Sequence, residues 1–403
     1  MNSTKSNMDK NRKHIVMYIG SLQKGGAEHV MVNLAEYFHL QGYRVTMVTT
    51  YLAQAEYPVA HAAWKEAAEG MPVLRPDGSM AFIEPEGRSV TGIHRVFSAL
   101  MPEEMKGRAG NFLARCNKLR SIWIGLNPDL ILSFSGKNNV MAMLTSYGLG
   151  IPVVVSVRSN PSREYQDRFL RMAALSTFRH AAGVVLQTEQ AKQFFSGRIQ
   201  ERSVILPNSL QPDFIRPLYE GVREKTVVSV GSLDRNKNHA LLLKAFAEAT
   251  GAHPDYRVII YGEGKCRTEL TELAQKLGIQ DRVELPGLIG EVADHIEKAG
   301  IFVLSSDQEG MPNALLEAMA LGIPSISTDC PCGGPKDLIE DGVNGLLTPV
   351  GDVHRMSQCL IRLMDNPGEA RAMGQKAAMV QQKYHPDRIN AQWKEFFDRI
   401  MSR

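Results

Sequence analysis

Short β-branched segments alternate with helical segments along this chain, and the same alternation starts a second time in its C-terminal half. The apolar run at residues 14–19 precedes a helical period at 27–40, and a strand-like run reappears at 226–230. Such alternation is typical of parallel βαβ units. We therefore predict an α/β protein with two doubly wound, Rossmann-like domains. The carboxyl ends of their strands should face a common cleft, the usual ligand position for such sheets.

Prolines mark the boundary between the two series. Pro207, Pro212 and Pro217 interrupt any regular element there. The predicted division is an N-terminal domain over 1–205 with an insertion at about 52–120, a linker over 206–224, a C-terminal domain over 225–384 and a terminal helix over 385–403. The apolar residues of that last helix either belong to a local core or pack back on the N-terminal domain.

Composition limits the class of protein. A length of 403 residues fits two domains, and 44% hydrophobic with 22% charged residues excludes a disordered or collagen-like chain. No apolar run is long enough to predict a membrane-spanning helix, and residues 1–13 lack the apolar segment of a signal peptide. Five cysteines without a metal-binding pair suit a reducing compartment. We expect a cytoplasmic protein.

The charge is distributed unevenly between the two halves. Residues 1–205 carry 24 Lys and Arg against 16 Asp and Glu, a net charge of +8, whereas the remainder carries a net charge of −5. A basic half predicts an anionic surface or substrate. The basic residues are dispersed and no nucleic-acid-binding motif accompanies them, so we expect no nucleic acid partner.

Each half has a glycine-containing loop where its first strand gives way to a helix. In the first loop, Gly25 and Gly26 allow a close approach of the backbone to a ligand, and the following helix N-terminus favours anions. In the second loop, Gly231 is followed by Arg235 and Lys237, two cations that suit a diphosphate. Each loop is also compatible with a plain surface turn.

Two carboxylates flank the segment 309–317, which follows an apolar strand-like run. Pro312 favours the first helical turn and predicts that a helix begins near Met311. Glu309 then lies in the loop before the helix and Glu317 lies one turn inside it. Such a pair can bracket the hydroxyl groups of a polyol. The alternative is that Glu309 stabilises the helix dipole and Glu317 serves a buried polar contact.

The Glu-x7-Glu spacing of Glu309 and Glu317, together with the glycine loop at 25–28, resembles retaining glycosyltransferases of the two-domain GT-B class, specifically family 4. The likeness extends from about residue 14 to residue 365. It implies a nucleotide-sugar donor bound mainly by the C-terminal domain and an acceptor bound by the N-terminal domain. It also implies retention of configuration, with the leaving phosphate accepting the acceptor's proton and no protein nucleophile.

The family's functional residues can be carried over position by position. Lys237 would hold the diphosphate, with Arg235 as a second cation. Glu309 would contact the donor sugar. These three are the predicted catalytic residues. Glu317 would accept hydrogen bonds from the ribose hydroxyls. The other predicted donor-binding residues are Gly25, Gly26, Ser232, Gly287, Leu288, Gly310, Met311, Asn313 and Ala314, with Gly287 and Leu288 near the base.

Two positions depart from the family pattern. Ser232 stands where the family usually has Arg, so either Arg235 supplies that charge or the diphosphate is held less tightly. Ser135 ends a segment where the family commonly has His. This segment and the one at 329–335 resemble branches that build bacterial capsule, O-antigen or protein-linked glycans, several of which use UDP-N-acetylhexosamines.

The N-terminal half carries the predictions about the acceptor. Arg158, at the end of a strand-like run, either contacts a phosphate or acceptor group or forms a structural ion pair. Basic and apolar residues alternate from Lys106 to Trp123 in an amphipathic pattern. This pattern predicts either peripheral attachment to an anionic membrane at its cytoplasmic face or a helix packed on its own domain. A lipid-linked acceptor would explain membrane attachment, and a soluble glycan is the other class of acceptor.

No Asp-x-Asp sequence occurs anywhere in the chain. The metal-diphosphate clamp of the other major glycosyltransferase fold therefore has no candidate here. We predict that the protein needs neither a metal nor a cofactor, and that the nucleotide sugar is a substrate.

Two other functions fit parts of the pattern. The non-hydrolysing UDP-N-acetylglucosamine epimerases share the two-domain architecture, but they need acids and histidines that we cannot place in this sequence. A catalytically silent partner subunit that binds a nucleotide sugar would explain Ser232 and the missing His. Acceptor-dependent release of UDP distinguishes a transferase from both.

Overall fold

The computed structural model of the protein describes residues 12–23, 25–53, 56–63, 73–74, 80–81, 92–100, 104–105 and 107–402. The chain divides into two compact units. Unit 1 comprises Met1–Leu186, Lys192–Leu206 and Asn390–Arg403, and unit 2 comprises Gln187–Ala191 and Pro207–Ile389.

Unit 1 is built on a parallel sheet. Within the described ranges its strands stand in the order β5-β2-β1-β6-β7-β8-β9. Their side chains are mostly Val, Ile and Leu, because strands of a parallel sheet are covered on both faces. The strands of this sheet are β1 (His14–Tyr18), β2 (Arg44–Thr49), β5 (His94–Phe97), β6 (Leu130–Phe134), β7 (Val153–Ser156), β8 (Gly183–Leu186) and β9 (Ser203–Ile205), and a separate antiparallel pair is formed by β3 (Val73–Leu74) and β4 (Met80–Ala81).

Helices connect the parallel strands, as crossover connections require. The helix between β1 and β2 carries Glu28 in its first turn, and the helix before β8 is capped by Asp167, whose side chain accepts from the Leu170 amide at 2.8 Å. Among the described residues before Leu206, the α-helices are α1 (Gly26–Leu40), α2 (Gly107–Leu126), α3 (Gly136–Ser146), α4 (Pro161–Glu164), α5 (Arg168–Phe178), α6 (Glu189–Gln193) and α7 (Arg198–Glu201).

The last helix of the chain, α16 (Pro386–Met401), belongs to unit 1 from Asn390 onward. Trp393 and Phe397 are fully buried, and the Phe397 ring stacks on Phe38 of α1 with 5.0 Å between centroids. Gly183 on β8 leaves space for another ring of this helix, because a Cβ at that glycine would lie 2.3 Å from Phe396. The apolar stripe of α16 therefore packs in the core of unit 1.

Unit 2 is built on a second parallel sheet. Its strands stand in the order β12-β11-β10-β13-β14-β15 among the described residues. Strand β10 lies between β11 and β13, with Val227 opposite Val258 on one side and Ile301 on the other. The strands are β10 (Thr226–Val230), β11 (Arg257–Tyr261), β12 (Val283–Gly287), β13 (Ile301–Leu304), β14 (Ser325–Thr328) and β15 (Leu346–Thr348).

The core of unit 2 lies between this sheet and its helices, and Leu242, Phe246 and Leu360 are fully buried in it. Two short 3-10 helices lie at Pro212–Phe214 and Gln280–Arg282. The α-helices are α8 (His239–Ala249), α9 (Arg267–Lys276), α10 (Val292–Ile296), α11 (Asn313–Ala320), α12 (Gly334–Leu338), α13 (Val353–Asp365), α14 (Pro367–Ala377) and α15 (Val380–Lys383).

The two Rossmann-like sheets agree with the predicted fold class, and the differences are local. Strand β5 lies inside the predicted insertion at 52–120, much of which falls outside the described residues. The helix predicted to begin near Met311 begins at Asn313, because Pro312 takes an extended conformation with ψ of 106°. No helix within the described ranges has the length and apolar character to cross a bilayer.

We predict that Phe397→Ala destabilises unit 1 by about 3–5 kcal/mol, because it leaves a cavity among rings that exclude water. Unit 2 contains no tryptophan, whereas Trp123 and Trp393 lie in unit 1, so tryptophan fluorescence during urea unfolding follows unit 1. Phe169→Ala is the matched control, because Phe169 is 82% exposed. Equal changes in the urea concentration at the unfolding midpoint of the two variants would contradict the packing described for α16.

Candidate functional site

Two loops of unit 2 meet where neighbouring parallel strands end. Lys237 lies in the loop after β10 and Glu309 in the loop after β13, and the carboxyl ends of adjacent parallel strands share one edge of the sheet. The Lys237 Nζ donates to Glu309 Oε1 at 2.6 Å. Their side chains are only 23% and 12% exposed. Two of the predicted catalytic residues therefore form one partly buried ion pair.

Further hydrogen bonds hold these loops, one within the loop after β13 and two between the loops. The Ser306 hydroxyl donates to the same Oε1 atom of Glu309 at 2.6 Å. Asn236 Nδ2 donates to the carbonyl of Gln308 at 3.0 Å, and Asn238 Nδ2 donates to the carboxylate of Asp307 at 2.8 Å. The ion pair therefore sits on a loop pair that hydrogen bonds of the protein itself hold in place.

Two glycines after β11 permit close backbone packing against the Lys237 loop. A Cβ at Gly262, whose φ is +149°, would lie 1.9 Å from the carbonyl oxygen of Gly231. A Cβ at Gly264 would lie 2.3 Å from the carbonyl oxygen of Leu233. The loop after β10 therefore packs directly on the backbone at positions 262 and 264, and a side chain at either position would collide with it.

A third loop, which follows β14, holds Glu309 by its backbone. The Glu309 amide donates to the carbonyl of Pro331 at 2.8 Å, and the Cys332 amide donates to the carbonyl of Glu309 at 2.8 Å. Gly334 packs on the next residue, since a Cβ there would lie 1.7 Å from the carbonyl oxygen of Gly310. Burial and the charge of Glu309 raise the pKa of the Cys330 thiol to about 12, so this cysteine stays neutral.

Glu317 lies on α11 and is buried without a cation. Gln211 Nε2 donates to its Oε1 atom at 3.1 Å. Burial raises the pKa of Glu317 to about 7, and the bond from Gln211 only partly offsets that effect. Such a carboxylate is stabilised by any ligand that brings hydroxyl donors to it.

The other predicted residues of the Lys237 loop have local partners. The Ser232 hydroxyl donates to Asp234 Oδ2 at 2.6 Å, and the Lys237 amide donates to Asp234 Oδ1 at 3.0 Å. The Arg235 side chain is 90% exposed, and its nearest carboxylate is that of Glu269 at 4.0 Å. Arg235 is thus not part of the ion pair, and its catalytic role stays a prediction.

Residues predicted to line the sugar and base positions are partly engaged within unit 2. The Met311 amide donates to Gln187 Oε1 at 3.3 Å, and Asn313 Oδ1 accepts from Asn208 at 2.6 Å. Ala314 is the second residue of α11. Gly287 has a φ of +92°, and the Leu288 side chain that follows it is 80% exposed. Contact of Gly287 and Leu288 with a base stays a prediction.

Three predicted residues lie in unit 1. Gly25 is the N-cap of α1 and Gly26 its first residue, and no side chain caps this helix. The Arg158 guanidinium lies over Phe134 at 5.4 Å and donates to the carbonyl of Leu206 at 3.2 Å. Burial lowers the pKa of Arg158 to about 9. These contacts are with a ring and a backbone carbonyl and do not decide between the alternatives, so a structural ion pair and contact with a phosphate or acceptor group both stay predictions for Arg158.

The sequence analysis missed several polar residues that support the site. Ser306 contacts Glu309, Gln211 contacts Glu317, and Gln187 contacts Met311. Position offers one signal, because Ser306 and Gln187 each stand within two residues of the carboxyl end of a strand, where ligand-site residues concentrate. Gln211 carries no comparable signal.

Both halves of the chain match family models. Residues 212–380 match "Glycosyl transferases group 1", and residues 25–209 match "Glycosyl transferase 4-like domain". With two parallel-sheet units and these matches, the protein is a glycosyltransferase of the GT-B class. Within that class it belongs to the enzymes that are like family 4.

Named relatives and a solved structure resemble the chain to different extents. An exopolysaccharide phosphotransferase of Streptomyces coelicolor is 34% identical over 55% of this chain, and the match spans only 24% of that relative. A Campylobacter jejuni α-1,4-N-acetyl-D-galactosaminyltransferase, named for an undecaprenol diphosphate-linked substrate, is 24% identical over 94% of this chain and 96% of its own length. The crystal structure of Anabaena HepE in complex with UDP has a TM-score of 0.75 at 18% identity, covering 96% of this chain and 99% of that one, which shows the fold.

We predict that Glu317→Gln stabilises unit 2 in a pH-dependent way. The folded-state pKa of about 7 exceeds the usual 4.5, so the penalty for a buried charge develops as pH rises from about 4.5 to 7 and is complete above that range. The free energy of unfolding of the variant should exceed that of the wild type by about 3 kcal/mol at pH 8 and should equal it near pH 4. Differential scanning calorimetry across this range measures the gain.

The matched control for this experiment is Glu272→Gln, which removes an exposed carboxylate from α9. Because this side chain is exposed, the substitution should change the unfolding temperature at pH 8 far less than Glu317→Gln does. A pH-independent effect of Glu317→Gln would contradict the assignment of a raised pKa to that residue.

Proposed function

We propose that this glycosyltransferase takes a sugar from a UDP-sugar, of which UDP-N-acetylhexosamines are the favoured class, and transfers it with retention of configuration. The acceptor is a glycan or lipid-linked glycan in bacterial surface-polysaccharide or glycan assembly. The observation that carries the proposal is the Lys237–Glu309 ion pair at the edge where β10 and β13 end, with the buried Glu317 on the following helix. The HepE structure with UDP and the name of the Campylobacter relative support the donor and acceptor classes.

On the donor side, the proposal assigns one role to each charged side chain. Lys237 leaves Glu309 and binds the diphosphate, whose two charges attract it more strongly than one carboxylate. Glu309, still bonded to Ser306, then accepts from hydroxyl groups of the donor sugar. Glu317 accepts from the ribose hydroxyls, which replace water that burial denies it. Arg235 adds charge only if its side chain turns away from Glu269.

The proposed reaction needs no protein nucleophile. The acceptor oxygen bonds to the anomeric carbon on the face from which UDP departs, the bond from that carbon to the diphosphate oxygen breaks, and the acceptor proton passes to the departing phosphate. Negative charge grows on the diphosphate, and Lys237 stabilises it electrostatically. Because a lysine supplies this charge and the chain has no Asp-x-Asp sequence, we propose that neither metal nor cofactor takes part.

On the acceptor side, the proposal includes peripheral contact with an anionic membrane, at its inner face. Helix α2 packs Leu119 and Trp123 into unit 1, whereas Phe112 and Leu113 are 50% and 62% exposed next to the exposed Arg115. Exposed apolar groups beside a cation suit the boundary between headgroups and acyl chains.

Other residues of the predicted amphipathic pattern contribute less to this surface. Lys118 pairs with Glu104, and Arg120 donates to the carbonyl of Tyr147, so both cations have partners within unit 1. Lys106 and the side chain of Arg108 lie outside the described residues. The proposed membrane surface is therefore the N-terminal half of α2.

We predict that Lys237→Ala raises the Kd for UDP by about 10- to 100-fold, the usual effect of losing a hydrogen bond to a charged group. Arg235→Ala removes an equal charge from the same loop and should raise the Kd far less, because its side chain is exposed. Isothermal titration calorimetry in buffer containing EDTA measures both values. Equal losses in the two variants would contradict the roles assigned here, and loss of UDP binding in EDTA alone would contradict metal independence.

We predict that Leu113→Glu lowers partitioning onto phosphatidylglycerol vesicles at least fivefold, since it removes an apolar contact and adds a repelled charge. Leu40→Glu is the matched control, because Leu40 is 66% exposed at the end of α1. Vesicle co-sedimentation at low salt measures the partitioning. Equal effects of the two substitutions would contradict a membrane surface on α2.

A further inference from the structure

A short segment after β8 belongs to unit 2 although it follows a strand of unit 1 in sequence. Gln187–Ala191 is this segment, and its first two side chains are buried, with Gln187 4% and Thr188 1% exposed. Buried polar side chains need hydrogen-bond partners, and these two find them on the loops that hold Glu309. We call residues 187–188 the support segment.

Gln187 holds the chain on the C-terminal side of Glu309. Its Oε1 atom accepts from the Met311 amide at 3.3 Å, and its Nε2 atom donates to Asn208 Oδ1 at 2.9 Å. Asn208 in turn donates to the Met311 carbonyl at 3.3 Å and to Asn313 Oδ1 at 2.6 Å. Met311 is thus bound at both its amide and its carbonyl, two residues beyond the Glu309 carboxylate.

Thr188 holds the loop that pairs with the Glu309 backbone. Its hydroxyl donates to the carbonyl of Cys332 at 2.8 Å and accepts from the Ala191 amide at 3.0 Å. Cys332 is the residue whose amide donates to the Glu309 carbonyl at 2.8 Å. The position of the Glu309 backbone therefore depends on Thr188 through a single intervening residue.

We propose that Gln187 and Thr188 are positioning residues that set recognition of the sugar portion of the donor. This rests on the proposed function, in which Glu309 binds the donor sugar. Neither residue contacts Lys237 or Glu317 in the described structure, so binding of the diphosphate and ribose should not depend on them. Thr188 acts on the backbone of Glu309 through Cys332, whereas Gln187 acts on Met311 and, through Asn208, on Asn313.

The test uses Thr188→Val, which keeps the shape of the side chain and removes the hydroxyl, with Thr188→Ser as the variant that restores it. Isothermal titration calorimetry measures the Kd of UDP and of UDP-glucose, UDP-N-acetylglucosamine and UDP-N-acetylgalactosamine for the full-length protein. In Thr188→Val the ratio of the Kd for the best UDP-sugar to the Kd for UDP should rise at least tenfold. The Kd for UDP itself should change less than twofold, and Thr188→Ser should restore the wild-type ratio.

Each other outcome has a definite meaning. An unchanged ratio in Thr188→Val, or equal weakening of UDP and UDP-sugar, would overturn the positioning role, because the first shows no influence and the second shows general damage. Gln187→Glu, which keeps the acceptor for Met311 and loses the donor to Asn208, should raise the ratio in the same direction and serves if Thr188→Val unfolds. A wild-type protein that binds none of the four ligands would contradict the proposed function itself, before either variant is compared.

Discussion

One ion pair connects the two loops to which we assign the donor. Lys237 and Glu309 are 72 positions apart in sequence, and they meet because β10 and β13 are adjacent parallel strands. Each charge neutralises the other in a partly buried place, and breaking the pair would leave one of them uncompensated. A diphosphate can replace Glu309 as the partner of Lys237. In the proposed function, the contact between Lys237 and Glu309 exchanges for one between Lys237 and the diphosphate of the donor.

The surroundings of Glu309 explain how this exchange can occur without loss of position. Ser306 bonds the carboxylate, the loop after β14 bonds the backbone on both its amide and its carbonyl, and Thr188 bonds that loop. A carboxylate held by groups other than Lys237 keeps its geometry when the lysine moves. Such preorganisation is how enzymes present charge to a reacting group without reorganising at the moment of reaction.

Glu317 has the opposite surroundings, because its burial costs the protein stability. Its burial without a cation disfavours the ionised form, and Gln211 compensates only in part. A ligand with two adjacent hydroxyl groups can supply the missing donors. Sites that are destabilised when empty are common where ligands bind, because the ligand then gains what the fold lacks.

The sequence permitted the fold class and the two carboxylates to be predicted, because periodicity and the spacing of Glu309 and Glu317 are properties of nearby residues. It did not permit the partners of these groups to be predicted. Gln187 and Met311 are 124 positions apart, and a hydrogen bond between them has no periodic signal. The Arg235 side chain lies 4.0 Å from Glu269 of α9, a neighbour that no sequence pattern indicates. The three-residue strand β15 is too short for an alternation to be visible. The pattern of neighbouring residues determines the helices and strands, whereas the hydrogen-bond partner of each side chain depends on the order of strands in the sheet.

A crystal structure of the protein with UDP tests the central claim most directly. The measured quantities are the distances from Lys237 Nζ to the β-phosphate oxygens and from the Glu317 carboxylate to the ribose hydroxyls. We predict that both lie within hydrogen-bond distance and that the Lys237–Glu309 contact is broken. UDP bound elsewhere, or bound with the Lys237–Glu309 contact intact, would contradict the account.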